Sequence, residues 1–264
     1  MHKLHIPVMG TGFSIDTPIR VAPFGISSVI SIMDDILIEK VREHYCDKYN
    51  LSFTPIHRWS EDSRARRITA YIDTVIDIVN IKFSQIKKMP FFESNDKEKY
   101  FSMLPDESPL KDTYQDLMEM DSGKKRDKTE KYLTNQMLKG SIDVNIMVKL
   151  DRQNYDRKGN LLPGEFSDGK AALRGYAQSK AESSIIFSAG INQSLYSYIT
   201  EFKDFYRNQS GKIKKKIIIK VSDFRSALIQ GKFLAKKGLE IHEFRIESGL
   251  NCGGHAFASN GYLL

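Results

Sequence analysis

The chain has 264 residues, of which 41% are apolar and 28% are charged, and its formal net charge is +7. This composition predicts a folded domain with a substantial core and excludes a chain that is disordered throughout. The basic residues are scattered among acids without an aromatic-interleaved stripe, so nucleic-acid binding is not expected. The two cysteines, Cys46 and Cys252, lie far apart with no metal-ligand spacing around them, which argues against a disulfide framework and a metal site. No apolar run is long enough for a signal peptide or a membrane span, so we expect a cytoplasmic protein with no membrane partner.

The N-terminal fifty residues alternate between strand and helix patterns. Residues 4–9 predict a strand, residues 17–24 a short helix, and residues 26–33 a second strand before a longer helix. Asp34 and Asp35 stand between that strand and that helix. Helix N-capping is their simpler interpretation, and a paired acidic site is the alternative. The alternation favours a parallel α/β sheet.

Residues 51–139 break this rhythm. Helical spacing predicts one long helix over 61–88 and another over 128–138, with an irregular segment between them. Because the segment is too long for an ordinary connection, we interpret it as a helical insertion in a barrel domain formed by residues 1–50 and 140–264. Packing is its simplest role, and a lid or partner-binding surface is the alternative.

After the insertion the alternation resumes. Strands are predicted over 141–150, 183–189 and 216–221, and a last strand begins at Glu240. Helices are predicted between them, over 170–182, 193–208 and 224–237. Six β/α units are therefore recognisable, with polar or glycine-rich turns after the strands, as at the site-bearing end of a (β/α)8 barrel. We expect a TIM-barrel-like α/β fold, which two further units would close.

The last predicted strand leads into a glycine-rich turn that carries Cys252, Gly253, Gly254 and His255. Two adjacent glycines let backbone N–H groups approach an anion closely, most often a phosphate. The imidazole of His255 would then lie beside the bound group, where it could transfer a proton at neutral pH. A plain strand-to-helix turn with an incidental histidine is the alternative.

Five short motifs follow one another along the chain: IPVMGTGFSIDTP, GISSVIS, IDVNIMV, SDFRSALIQGKFLAKKG and CGGHAF. Together they resemble the nitronate monooxygenase (2-nitropropane dioxygenase-like) family of FMN-dependent TIM barrels. The resemblance covers the chain outside the insertion. It implies an enzyme, a flavoprotein monooxygenase or related oxidoreductase that uses FMN to act on a small organic substrate.

The resemblance also implies roles for particular residues. Met9 and Gly10 would lie under the flavin ring, with Thr11 in the same cofactor-binding turn. Asn145 would offer its side-chain amide to the ring. His255 would face the substrate as the catalytic acid or base.

The same resemblance implies that Gly253 and Gly254 donate backbone hydrogen bonds to the FMN phosphate. Lys220 departs from the family, which is usually uncharged at this position. A charge that snorkels at the barrel end is its simpler interpretation, and a contact with the phosphate or the substrate is the alternative. The chain departs from the family at Asn251 and Cys252, where an acid and a small residue usually precede the glycines.

Other functions stay open beside the flavoenzyme. One is a non-catalytic or phosphate-ligand-binding barrel whose insertion binds a partner. Another is an aldolase-type enzyme in which Lys220 forms a Schiff base. The sequence leaves the substrate, the electron acceptor and homo-oligomerisation open.

Overall fold

The structure is a computed structural model, and it describes residues 2–9, 14–93, 95–149 and 151–247. Its strands lie in sequence order in a six-stranded sheet: β1 (His5–Ile6), β2 (Ser27–Ser31), β3 (Ile142–Ile146), β4 (Ser184–Phe187), β5 (Lys216–Val221) and β6 (Ile241–Ile246). Each neighbouring pair with a defined register is parallel. The predicted parallel α/β sheet is therefore confirmed.

The expected fold was TIM-barrel-like with six units, two short of closure, and the residues that the structure describes form no closed barrel. In the strand order, β1 and β6 are the two ends, and no pairing joins them within the described ranges. A TIM barrel closes only when eight tilted strands complete a ring, and six strands cannot do so in the same way. The observed fold is thus an open parallel α/β sheet.

Helices lie between successive strands, and two of them, over residues 95–102 and 109–119, fall in the segment predicted to be irregular. They are α1 (Thr17–Val21), α2 (Asp35–Lys48), α3 (Ser63–Lys88), α4 (Asn95–Ser102), α5 (Pro109–Glu119), α6 (Lys124–Gln136), α7 (Asp168–Gln178), α8 (Gln193–Tyr198) and α9 (Phe224–Ala235). Asp34 caps α2, because its carboxylate accepts hydrogen bonds from the backbone N–H groups of Ile36 and Leu37 at 3.1 and 2.9 Å. The capping interpretation of Asp34 is therefore confirmed.

None of the helices in the described ranges has the length and apolar character that crossing a membrane requires.

One predicted helix is wrong in extent. Residues 193–208 do not form a single helix, because α8 ends at Tyr198 and two short 3₁₀ turns follow it. Phe202, between those turns, is extended, with φ −113° and ψ 112°. The break allows Phe205 to be buried to 1% exposure, so tertiary packing overrides the local helical spacing.

Packing divides the chain into two compact units. The first comprises Met1–Ile30 and Val75–Ile142, and the second comprises Ser31–Thr74 and Asp143–Leu264. The division falls within α3. The predicted domain boundaries at residues 50 and 139 stay a prediction.

The first unit has an aromatic core of its own. Phe101 is fully buried, and its ring stacks on Phe91 and Tyr114 with centroids 5.8 and 5.3 Å away. The hydroxyl of Tyr100 donates to the carbonyl of Leu138 and accepts from its N–H, at 3.0 and 2.8 Å. This core holds α4, α5 and α6 together, so much of the segment predicted to be irregular belongs to a packed helical body.

In the second unit, α7 packs closely on α3. A Cβ on Gly175 would lie 2.7 Å from the carbonyl oxygen of Ala65 and 2.8 Å from the Cβ of Ile68. The hydroxyl of Thr69 donates to the carbonyl of Gly175 at 2.9 Å. On the same helix, the guanidinium of Arg174 pairs with Asp62. These contacts fix α7 against α3, and the N-terminal part of α7 carries part of the candidate site.

Candidate functional site

The second unit contains a cavity of about 310 Å³ at the carboxyl end of β3. Its walls come from residues directly after β2, the end of β3, α3, the loop after β3 and the first turn of α7: Ile32, Met33, Arg64, Asn145, Ile146, Met147, Arg152, Asp168, Gly169 and Ala172. Ligands of α/β proteins bind at the carboxyl ends of parallel strands. The volume lies at the lower end of the range for small-molecule sites.

Asn145 is the polar residue of β3 that lines this cavity. It is 4% exposed, and its side-chain amide makes no hydrogen bond with the described residues. An unpaired amide that lines a cavity is therefore suited to a ligand with its own donors or acceptors.

Arg64 reaches the cavity from α3 but is fully engaged by protein groups. Its guanidinium pairs with the carboxylate of Asp35 and donates to the carbonyls of Met33 and Asp168 at 3.1 and 3.2 Å. Arg67 binds the same carboxylate, with Nε 2.8 Å from Oδ2. The buried carboxylate of Asp35 thus serves two guanidinium groups rather than a paired acidic site with Asp34.

Asp168 joins the loop after β3 to the start of α7. Its Oδ2 accepts from Nε of Arg152 at 3.0 Å, and its Oδ1 accepts from the amide of Asn154 at 3.0 Å. The amide of Asn154 also donates to the carbonyl of Phe166 at 2.7 Å. Asp168 therefore holds the base of this loop in place at the cavity wall.

A second carboxylate anchors the same loop from the other side. Oδ1 of Asp151 accepts from the backbone N–H of Gly169 at 2.8 Å, and Oδ2 accepts from the amide of Asn192 at 3.1 Å. One N–H at the N-terminus of α7 is therefore already occupied by a protein anion. Two acids, Asp151 and Asp168, thus fix a wall whose cations are Arg64 and Arg152.

Lys220 lies on the same face of the sheet as Asn145. The strand registers align Asn145 with Ile186 and Ile186 with Ile218, and Lys220 follows Ile218 by two residues on β5. The two positions are therefore two strand spacings apart across the sheet and two residues apart along the strand. Together these displacements correspond to about 12 Å. The ammonium of Lys220 pairs with Glu247 at 2.7 Å, and it does not line the cavity.

The remaining sequence-predicted residues fall in two groups. Met9, in the first unit, is 70% exposed, and its N–H donates to the hydroxyl of Ser14 at 2.7 Å. The others, Gly10, Thr11, Gly253, Gly254 and His255, lie outside the described residues. Of the predicted set, the described cavity therefore includes Asn145 alone.

Sequence reasoning missed three charged residues of the cavity wall, Arg64, Arg152 and Asp168. The position of Arg152, in the polar loop directly after a predicted strand, was the available signal, because such loops carry ligand-binding groups in α/β folds. No comparable signal marked Arg64, which belongs to a helix assigned to the insertion.

Comparison with family models, with curated proteins and with solved structures returns no match for this chain.

Proposed function

We propose that this protein is an FMN-dependent oxidoreductase that acts on a small organic substrate, and that its open sheet belongs to a TIM-barrel-like fold. The observation that supports this proposal best is Asn145, which is 4% exposed, lines the cavity and forms no side-chain hydrogen bond with the described residues. The resemblance to nitronate monooxygenases gives that asparagine the same task, a hydrogen bond to the flavin ring.

The cavity chemistry fits an amphipathic heterocycle. Apolar walls from Met33, Ile146 and Ala172 offer contact to a ring face, and the Asn145 amide offers both a donor and an acceptor to a ring edge. When bound, FMN would supply the electron transfer. The residues of this chain would bind the ring, orient the substrate and keep water away from it, and His255 would hold or move a proton under the same proposal.

The Schiff-base alternative receives less support from the geometry. A nucleophilic lysine needs a neutral amine, which burial or neighbouring cations favour. The side-chain nitrogen of Lys220 instead forms an ion pair with the carboxylate of Glu247 at 2.7 Å, and it does not line the cavity.

The test is FMN binding to the purified chain, followed by the flavin absorbance bands and the quenching of flavin fluorescence. We expect binding, with Asn145→Ala weakening it about three- to tenfold, since one hydrogen bond is worth about 0.5–1.5 kcal/mol. Asn95→Ala is the matched control, because this exposed asparagine belongs to the first unit. A colourless protein that binds no added FMN would refute the proposal and favour a barrel without flavin.

A further inference from the structure

We infer that the open edge of β6 binds a second copy of this chain, with the two β6 strands antiparallel and Phe244 on the two-fold axis. The contact is self-complementary, as in most symmetric dimers. This inference goes beyond the proposed function and uses none of the residues that line the cavity. It is carried by the direction of the backbone groups on β6, by the apolar surface beside that strand and by the charges of two side chains.

Within the described residues β6 is an edge strand, last in the strand order and paired with β5 alone. From Glu243 onward its register with β5 is continuous. The N–H of Glu247 donates to the carbonyl of Val221 on β5 at 2.9 Å. Successive residues of a strand direct their backbone groups to opposite edges. Those of Phe244 and Ile246 therefore point away from β5 and can pair with another strand.

Exposed apolar side chains lie on the α9 side of this strand. A Cβ on Gly231 of α9 would lie 3.3 Å from the ring of Phe244, which places that ring on the α9 side. Ile246 shares this side of β6 and is 77% exposed. Phe224, 80% exposed, and Leu228 share one face of α9 with Gly231. Exposed apolar side chains grouped in this way are typical of a protein–protein contact.

Charges on the opposite side of β6 select the register. Glu243 and Arg245 share that side, and Nε of Arg245 lies 2.5 Å from Oε1 of Glu243. In an antiparallel pair with Phe244 on the axis, Glu243 of each copy lies opposite Arg245 of the other. Moving the axis by one residue would put Glu243 opposite Glu243, or Arg245 opposite Arg245. Like charges that face each other across strands are unfavourable, so the register on Phe244 is preferred.

The backbone directions fit the same register. With Phe244 on the axis, its outward N–H and C=O meet those of the second copy and form two hydrogen bonds. Glu243 and Arg245 then form the non-hydrogen-bonded pairs, in which facing side chains lie closest to each other. On β5, Arg245 stands opposite another cation, Lys220, so a carboxylate on its open side is favourable. One register thus satisfies both the hydrogen bonds and the charges.

An exchange of the two charges tests the inference. Sedimentation equilibrium of the full chain should give a mass twice that of one chain, approached as the protein concentration rises. Glu243→Arg and Arg245→Glu each place like charges opposite each other at two points of the dimer, so each should weaken dimerisation about tenfold or more. The double variant with both substitutions restores facing opposite charges and should dimerise within about threefold of the unchanged protein.

Glu201→Arg is the matched control, because it makes the same charge reversal at an exposed position in the 3₁₀ turn after α8. It should leave dimerisation unchanged, and circular dichroism checks that each variant is folded. A chain that stays monomeric at every concentration, as it would if residues after Glu247 covered this edge, overturns the inference. Undiminished dimerisation of both single variants places the contact elsewhere and also overturns it, as does a double variant that stays monomeric.

FMN binding, measured on the same samples, separates this inference from the proposed function. A monomeric protein that binds FMN refutes the dimer and leaves the proposed function standing. A dimer that depends on Glu243 and Arg245 in a protein that binds no FMN upholds the inference while the proposed function fails.

Discussion

Raising the pH from about 7.5 to about 9.5 should stabilise the second unit, because a buried lysine loses its charge. Lys215 is fully buried, and its ammonium donates to the carbonyls of Tyr176, Ser179 and Ala181 at 3.1, 2.9 and 2.8 Å. Burial, helped by repulsion from Lys214, lowers its pKa from 10.5 to about 8. The unfolded chain therefore binds the proton more tightly than the folded one, and stability rises with pH between the two pKa values.

The size of the effect follows from those two pKa values. A tenfold change in proton affinity is worth about 1.4 kcal/mol, so the full rise is about 3 kcal/mol, of which about 2 kcal/mol falls between pH 7.5 and 9.5. Above about pH 10 the trend should reverse. Burial raises the pKa of Tyr176 and of Tyr196, so their deprotonation then favours the unfolded chain.

The rise in the free energy of unfolding is measured by urea unfolding, with the fluorescence of Trp59 as the signal. Trp59 is the single tryptophan and belongs to the second unit. The midpoint should increase by several tenths of a molar over this pH range. Lys215→Met removes the titrating group and should abolish the increase. Lys216→Met changes an exposed neighbour and should retain it. A flat or falling midpoint in the unchanged protein, or an undiminished increase in Lys215→Met, would refute the reasoning.

Three further substitutions test the packing around the site and in the first unit. Gly175→Ala should destabilise the second unit by about 1–3 kcal/mol in urea unfolding, because its Cβ would meet the backbone of α3. Gly164→Ala, which meets open space, should change little. Phe101→Ala should cost about 3–5 kcal/mol and raise hydrogen exchange in α4, α5 and α6, because the ring is fully buried in their core. Asp35→Asn should cost about 3–5 kcal/mol in thermal or urea unfolding, because the buried guanidinium of Arg67 and the partly buried guanidinium of Arg64 lose their anion. Asp34→Asn keeps a good N-cap and should be nearly neutral.

Local sequence signals predicted most of the secondary structure. The apolar run at β5 predicted a strand over the residues that form it, Lys216–Val221, and the Asp223 cap placed the start of α9 at Phe224. Such features depend on neighbouring residues alone, so they can be found without knowledge of the fold. The end of α8 depends instead on the burial of Phe205, which no local pattern reveals.

The residues of the candidate site also fall into two groups: one that a sequence motif marks, and others that only packing brings together. Asn145 was singled out by the resemblance of its motif to a known family, and the strand predicted around it forms over Ile142–Ile146. The charged part of the cavity wall could not be predicted from the sequence, because Arg64 and Asp35 are 29 residues apart and meet only through the packing of α3. Long-range ion pairs of this kind leave no periodicity in the sequence.

The two arginines in the cavity wall also show why residue type alone does not identify a ligand-binding group. Arg64 and Arg152 carry the same charge, yet one has its nitrogens occupied by protein acceptors and the other has a free guanidinium edge. The difference lies in how many acceptors the surrounding backbone presents to each side chain, which is a property of the folded unit. Unused hydrogen-bonding capacity at a cavity is therefore a property of the fold and not of residue type, and of these two arginines Arg152 has it.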